Sequence, residues 1–457
     1  MQQQRRQFIL NSLRGAAGLA CMGSIRSSLA ASSRILTSSA TQLNDHKALV
    51  VVFLYGGCDS FNLLVPTENH HYAEYAQVRQ SLAFEQTQLL PISNTADLPY
   101  HVGMPQAASS LHQLFEQQEL AIVANVGPMS EVYSKAELLA TPSLLPPQLF
   151  SHNDQQSLWE SASLNTSSVS GWGGRMADLL ADTNDNLSMN FSLHGANLTQ
   201  LGELVQPFAI AHSGIEQFEA LDPSKNWNQR RNSIFQRILN NTHHPLQQSY
   251  ANRIHSAADN NARISEALLS TNASSINYPQ DNSLAEQLKM VARLLAAQPV
   301  LGQARQIYFV GMGGWDTHDD QSTRHPQLLA ELGDALLAFQ HDITERQLAN
   351  QVTTLSMSEF GRTLTSNGDG TDHGWGGHQL VMGAALNGGK IYGELPDLSL
   401  NSNQDLGDGR MIPSLSIEQY IASIATWFGL SATQLLEVFP NAARFDLQNV
   451  QLFDGLG

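Results

Sequence analysis

An α/β fold, with a largely parallel sheet sandwiched by helices and one helical insertion, is what this sequence predicts. Three observations carry that reading. Apolar residues make up 42% of the 457-residue chain and charged residues 14%, which is ample for a packed core and excludes global disorder. Four short apolar runs recur: Ala48–Leu54, Leu120–Ala124, Gln306–Val310 and Val352–Met357. Helical patterns separate the runs, and strands alternating with helices favour a mostly parallel sheet covered on both faces.

The first run, Ala48-Leu49-Val50-Val51-Val52-Phe53-Leu54, is unbroken and stops at Gly56-Gly57. A continuous apolar run rich in β-branched residues, with no polar alternation, predicts a strand buried on both sides. The other three runs read alike. Between about 213 and 298 the pattern is mostly helical, an insertion between strands. Its last helix is the clearest, with Ser283 as cap, Glu286 completing a capping box and Leu284, Leu288, Val291 and Leu295 on one face. Pro299 stops it. Residues 47–457 are thus read as one α/β domain.

The N-terminus differs in composition. Residues 1–30 hold four arginines and no acid, whereas the whole chain carries 24 basic and 41 acidic residues, a net charge of −17. Without that segment the balance is 20 basic to 41 acidic, or −21. Arg5-Arg6 precedes Phe8-Ile9-Leu10, a mild Ala/Gly-rich apolar stretch follows, and Ser28-Leu29-Ala30 closes with a small-x-small pattern. This resembles a twin-arginine export signal over 1–30, followed by a Ser/Thr-rich tether over 31–46. Export of that kind implies bacterial periplasmic or secreted localisation, with the twin-arginine translocase as a transient partner. The acidic balance argues against nucleic acid or anionic lipid as partner. No stretch reaches the length and apolarity of a membrane-spanning helix, so no stable membrane insertion is expected. Two cysteines exclude a disulfide scaffold, and cleavage after Ala30 leaves Cys58 as the one thiol.

In an open α/β sheet, ligands bind beyond the carboxyl ends of the strands. There this sequence places Gly56-Gly57-Cys58-Asp59, Gly314-Trp315-Asp316-Thr317-His318 and Ser358-Glu359-Phe360-Gly361-Arg362, with Asp372-His373 and His378 a short loop later. Each has an ordinary reading: a helix cap, a solvated turn, a Glu359–Arg362 ion pair, an Asx turn. Gathering Asp59, Asp316, Glu359 and Asp372 at one edge, however, costs repulsion unless cations sit between them. Imidazole and carboxylate without thiolate suit Zn²⁺ or Mn²⁺, with Mg²⁺ at an oxygen-rich position. Two divalent ions are expected, held by Asp59, Asp316, His318, Glu359, Asp372, His373 and His378. Ser151-His152-Asn153-Asp154 leaves two readings open. Ser151 is a metal-activated nucleophile assisted by His152 or Asp154, or it is the N-cap of a helix with Asp154 at the third position.

These motifs, Gly-Gly-x-Asp-x-x-Asn, Ser151-His152 with Asp154-Gln155, Gly314-Trp315-Asp316-Thr317-His318 with Gln321, Ser358-Glu359-Phe360-Gly361-Arg362-Thr363 and Asp372-His373-Gly374, resemble the exported family called domain of unknown function 1501. That family is similar, more loosely, to the alkaline phosphatase and sulfatase superfamily. The resemblance implies that Asp59 binds or bridges one cation, that Ser151 stands where the nucleophile does, and that Asp316 and His318 hold the other cation. Asp372-His373 and His378 would complete the shells. Departures are visible: Asp316 and His318 are only two residues apart, and Glu359 stands where an Asp-His pair is expected. Tyr55 replaces an arginine before the first Gly-Gly, and no Cys-x-Pro-x-Arg sulfatase signature exists. The expected function is an exported metallohydrolase of phosphate or sulfate esters, with Ser151 as nucleophile and Arg362 gripping the equatorial oxygens. The rival class is a non-catalytic metal-containing envelope protein that binds a glycan or assists surface-polymer export.

Overall fold

All four apolar runs are strands of one sheet, in a computed structural model that describes residues 45–95, 97–180, 187–215, 224–241 and 244–455. The expected leader, and the expected tether up to residue 44, lie outside the described residues. The main strands are β1 (Lys47–Leu54), β2 (Leu120–Gly127), β3 (Asn190–Ser192), β4 (Phe208–Ala209), β5 (Arg305–Met312) and β6 (Val352–Met357). A hairpin of β7 (Arg362–Ser366) and β8 (Thr371–His373) follows, then β9 (Gly377–Met382), β10 (Ile391–Tyr392) and β11 (Leu415–Ser416). The sheet order is β10-β2-β9-β6-β1-β5-β3-β4, with β11 also on β2. Strand β1 is central and pairs in parallel with both neighbours, Val51 opposite Phe309 of β5 and Leu355 of β6. Among the described residues one strand of this sheet, β9, runs antiparallel, against β2 and β6. The fold is α/β, a largely parallel sheet between helical layers.

The central strand shows why its sequence is apolar throughout. Ala48, Val50, Val52 and Leu54 face one core, and Leu49, Val51 and Phe53 face the other. A period-two chain covered on both sides needs apolar residues at every position. Complete burial of each such side chain stabilises the fold by about 1.5–3 kcal/mol before entropy is counted. The first layer includes α1 (Asn69–Arg79), α2 (Ser109–Glu116), then α6 (Pro245–Leu269), against which α5 (Gln229–Asn240) packs, α7 (Ser283–Ala296) and α8 (Gln321–Glu345). The opposite layer is built from α3 (His152–Ser161), α4 (Trp172–Leu180), α9 (Ile417–Phe428) and α10 (Ala432–Val438).

Helix α7 buries Leu284, Leu288, Val291 and Leu295 as its spacing requires, but its start differs from expectation. Asn282, not Ser283, is the cap, its side chain accepting from the Ala285 backbone N–H. The helix ends at Ala296, before Pro299 as expected, and Pro299 lies in the first turn of a further short helix, Gln298–Leu301, where its missing N–H is harmless.

Register delivers the candidate residues to one edge. Leu54 lies opposite Met312 and Phe53 opposite Met357, so the loops after β1, β5 and β6 leave side by side. Because β9 is antiparallel, its first residues start at this same edge. The crowding is severe at Gly56, where a Cβ would stand 2.2 Å from the Asp316 backbone nitrogen, and at Gly57, where it would meet the Phe360 ring. Both have positive φ, 124° and 85°, so glycine answers conformation and space together.

Candidate metal centre

Asp316 is the hub of the edge. It follows β5 within a loop pinned by Trp315 N–H to Tyr55 O and Thr317 N–H to Trp315 O. Three imidazoles approach its carboxylate: His152 Nε2 at 3.4 Å from Oδ2, and His318 Nε2 at 3.1 Å and His373 Nε2 at 3.3 Å from Oδ1. His152 begins α3, His318 lies two residues past Asp316, and His373 ends β8. The two imidazoles of β8 and the β5 loop meet with Nε2 atoms 2.9 Å apart.

Hydrogen bonds at the far side of each ring define what those Nε2 atoms are. His152 Nδ1–H donates to Glu359 Oε1 at 2.8 Å, and His318 Nδ1–H donates to Asp372 Oδ1 at 3.2 Å. His373 Nδ1–H donates to the Phe150 carbonyl at 2.8 Å. Carboxylates and carbonyls only accept, so Nδ1 carries a proton in all three rings, and in the Nδ1–H tautomer each ring turns its Nε2 lone pair toward Asp316. Three lone pairs aimed at an anion repel unless protons or a cation lie among them. This outward carboxylate–imidazole arrangement is what orients metal-ligating histidines.

The residues therefore fit a divalent cation. Ligand atoms of His152, Asp316 and His373 all lie within 4.8 Å of one another. The 2.9 to 3.3 Å spacings among His318, His373 and Asp316 approach the roughly 3.3 Å that donors about 2.0–2.1 Å from a tetrahedral ion would show. Nitrogen and oxygen donors without sulfur suit Zn²⁺ or Mn²⁺. The Asp316 side chain is 43% exposed, so the centre opens to solvent.

Electrostatics hold the hub ionised. Burial opposes charge on Asp316, yet the Arg362 hydrogen bond and charge outweigh it and keep the carboxyl below its ordinary range. Arg362 Nη1 donates to Asp316 Oδ1 at 2.7 Å. The hydrogen bond that His152 donates to Glu359 raises the His152 pKa despite partial burial. Burial lowers that of His373.

The remaining sequence candidates are distributed around this centre. Glu359 is wholly buried; besides His152 it accepts the Gly56 N–H at 2.9 Å and Gln156 Nε2 at 3.2 Å. Asp372 is exposed and supports His318. Glu359 and Asp372 are thus outer carboxylates, which answers which of Glu359 and Asp372-His373 reaches the centre: His373 does. Arg362 is fully buried, with donors spent on Gly56 O, Asp316 and both oxygens of Thr371. Its guanidinium anchors Asp316 and is not presented to an ester, which departs from the expected grip on equatorial oxygens. Ser151 Oγ donates to Asp154 Oδ2 at 2.6 Å, and Ser151 precedes α3 without making a side-chain cap bond.

Two candidates are not brought to the centre. His378 lies inside β9, buried, its Nδ1 accepting the Asn125 N–H at 3.1 Å and its ring edge-on to Phe61. Burial pushes its pKa down to about 4. The sequence places His378 together with Asp372-His373 a short loop past Arg362, whereas Gly377 already pairs with β2 and His378 lies within the sheet. Asp59 is also buried, paired with Arg79 and with Gln321. Trp315 and Trp375 are buried core residues. What the sequence undervalued is His152, read there as a helper of Ser151; its position at a helix start beyond a polar turn was the available signal. Arg79, inside a polar helix, gave none.

With this geometry in place, residues 46–435 match the family described as Protein of unknown function (DUF1501), and the chain belongs to it. No curated protein sequence matches the chain. Among solved structures it is similar to Ps i-CgsB at 9% identity, with 87% of this chain and 77% of that chain covered and a TM-score of 0.35. It is also similar to the PsFucS1 sulfatase from Pseudoalteromonas sp. at 10% identity, covering 81% and 68%, with a TM-score of 0.32. Among the described residues no helix is long and apolar enough to cross a membrane.

Proposed function

We propose that this chain is an exported, metal-dependent hydrolase of phosphate or sulfate esters. The observation that carries the reading is the convergence of three Nδ1-protonated imidazoles on Asp316 at an open sheet edge. His152, Asp316, His318 and His373 would hold the cation, which when bound supplies Lewis acidity toward the anionic oxygens of an ester. Glu359, Asp372 and the Phe150 carbonyl keep the three rings in one tautomer and orientation. Arg362 fixes Asp316.

Ser151 lies between Phe150 and His152, both of which touch this centre. Its hydroxyl is already hydrogen-bonded to Asp154, so as Oγ bonds to phosphorus or sulfur the proton passes to that carboxylate and the ester oxygen departs. The test is hydrolysis of aryl phosphates and aryl sulfates by metal-loaded wild type and Ser151→Ala. Loss of turnover in Ser151→Ala with bound metal unchanged supports the serine. Equal rates would remove it from the reaction. A fully metallated wild type that hydrolyses none of these esters would favour the glycan-binding or polymer-export alternative. Export rests on Arg5-Arg6; changing both to lysine should leave precursor in the cytoplasm, and undiminished periplasmic protein would refute it.

A further inference from the structure

Asp59 is the acid expected to bind or bridge a second cation, and its surroundings have been built differently. It follows the central strand, is 0% exposed, and both carboxylate oxygens are taken. Oδ1 accepts from Arg79 Nη2 and Oδ2 from Gln321 Nε2. Arg79 is likewise 0% exposed and its Nη1 donates to the Thr363 carbonyl at 3.1 Å. A guanidinium keeps its proton throughout the accessible pH range, so Asp59 has a permanent counter-charge from its own chain.

The rest of the neighbourhood agrees. His325, also buried, contributes no charge, since burial pushes its pKa down to about 4. Among the described residues the ligating side chains gather at His152, Asp316 and His373, and Asp59 is not among them. A divalent ion at Asp59 would have to share the carboxylate with Gln321 and stand beside a buried guanidinium, a like charge in a low-dielectric interior. The Gln321 amide also links the two acids: its Oε1 accepts from Thr371 Oγ1 at 2.7 Å, Thr371 Oγ1 accepts from Arg362 Nε at 3.1 Å, and Arg362 holds Asp316.

We infer that Arg79 takes the place of a second metal ion, so that the centre binds a single divalent cation at His152, Asp316, His318 and His373. This rests on the metal-dependent reading above and replaces its expected two-ion count. Asp59 then serves as an internal anchor for the strand-end loops rather than as a ligand.

Elemental analysis of the full chain, purified through its export route and dialysed against Zn²⁺ or Mn²⁺, should give one equivalent per chain. Calorimetric titration of chelator-stripped protein with either ion should show one binding step. Two equivalents would overturn this inference and leave the metal-dependent reading standing; none would overturn both. Asp59→Asn should retain the single equivalent with affinity within about twofold of wild type, whereas Asp316→Asn should lose it. Loss of the metal from folded Asp59→Asn would make Asp59 a ligand and sink the proposal. Should that variant not fold, Asp59→Asn combined with Arg79→Gln removes both buried charges and carries the same readout.

Discussion

Asp59 and Asp316 are the same residue type, on loops leaving adjacent parallel strands, and they have opposite fates. Asp59 is sealed in the core with a guanidinium against it. Asp316 stands nearly half exposed, with an arginine on one side and three imidazole lone pairs on the other. The difference teaches that strand-end position delivers an acid to the edge, while its neighbours decide whether it anchors structure or meets a ligand. A buried charge with a fixed partner is structural. A charge left with an excess of lone-pair donors is poised for a cation.

The comparison breaks most visibly at Arg79. Arg79→Met strands a buried carboxylate and should cost about 3–5 kcal/mol in chemical denaturation; a loss under about 0.5 kcal/mol would mean that Asp59 is compensated some other way. Asp316→Asn acts on the opposite property. Removing an inner donor should weaken metal binding by more than about 100-fold, beyond the range of outer partners, in a competition titration. Unchanged affinity would eliminate the hub.

The outer carboxylates come next. Glu359→Gln and Asp372→Asn should each lower metal affinity by about 10- to 100-fold while leaving one binding step. Glu359 is buried, so its replacement should also reduce stability, whereas exposed Asp372 should not.

A smaller effect is expected from pH in metal-free protein. The folded pKa of His152 is raised by Glu359, so its contribution to stability is fully present below the unfolded imidazole value near 6.5. It fades as pH rises through the raised folded value. Thermal melts across that window should show the slope, and Glu359→Gln should remove it. Least affected should be the stability of Ser151→Ala, within about 0.5 kcal/mol, because Ser151 makes no helix-cap bond. A loss near 1 kcal/mol would restore the cap reading.

From sequence alone came the sheet, the helical layers and the edge to inspect, because apolar periodicity and glycine punctuation are local signals written in consecutive residues. Val50-Val51-Val52 cannot be anything but a strand covered on both faces, and the acids after three such runs had to emerge together. His318, His373 and Asp316 were legible for that reason. Only the tertiary structure could decide the rest. Antiparallel β9 carries His378 into the core, and Arg79 reaches Asp59 from a helix twenty positions on. Arg362 turns inward to hold Asp316, and His152 is rotated onto it by Glu359, 207 residues away in the chain. Charge compensation and ring orientation depend on which side chains meet across strands, and that pairing is set by packing and register, quantities no run of neighbouring residues contains.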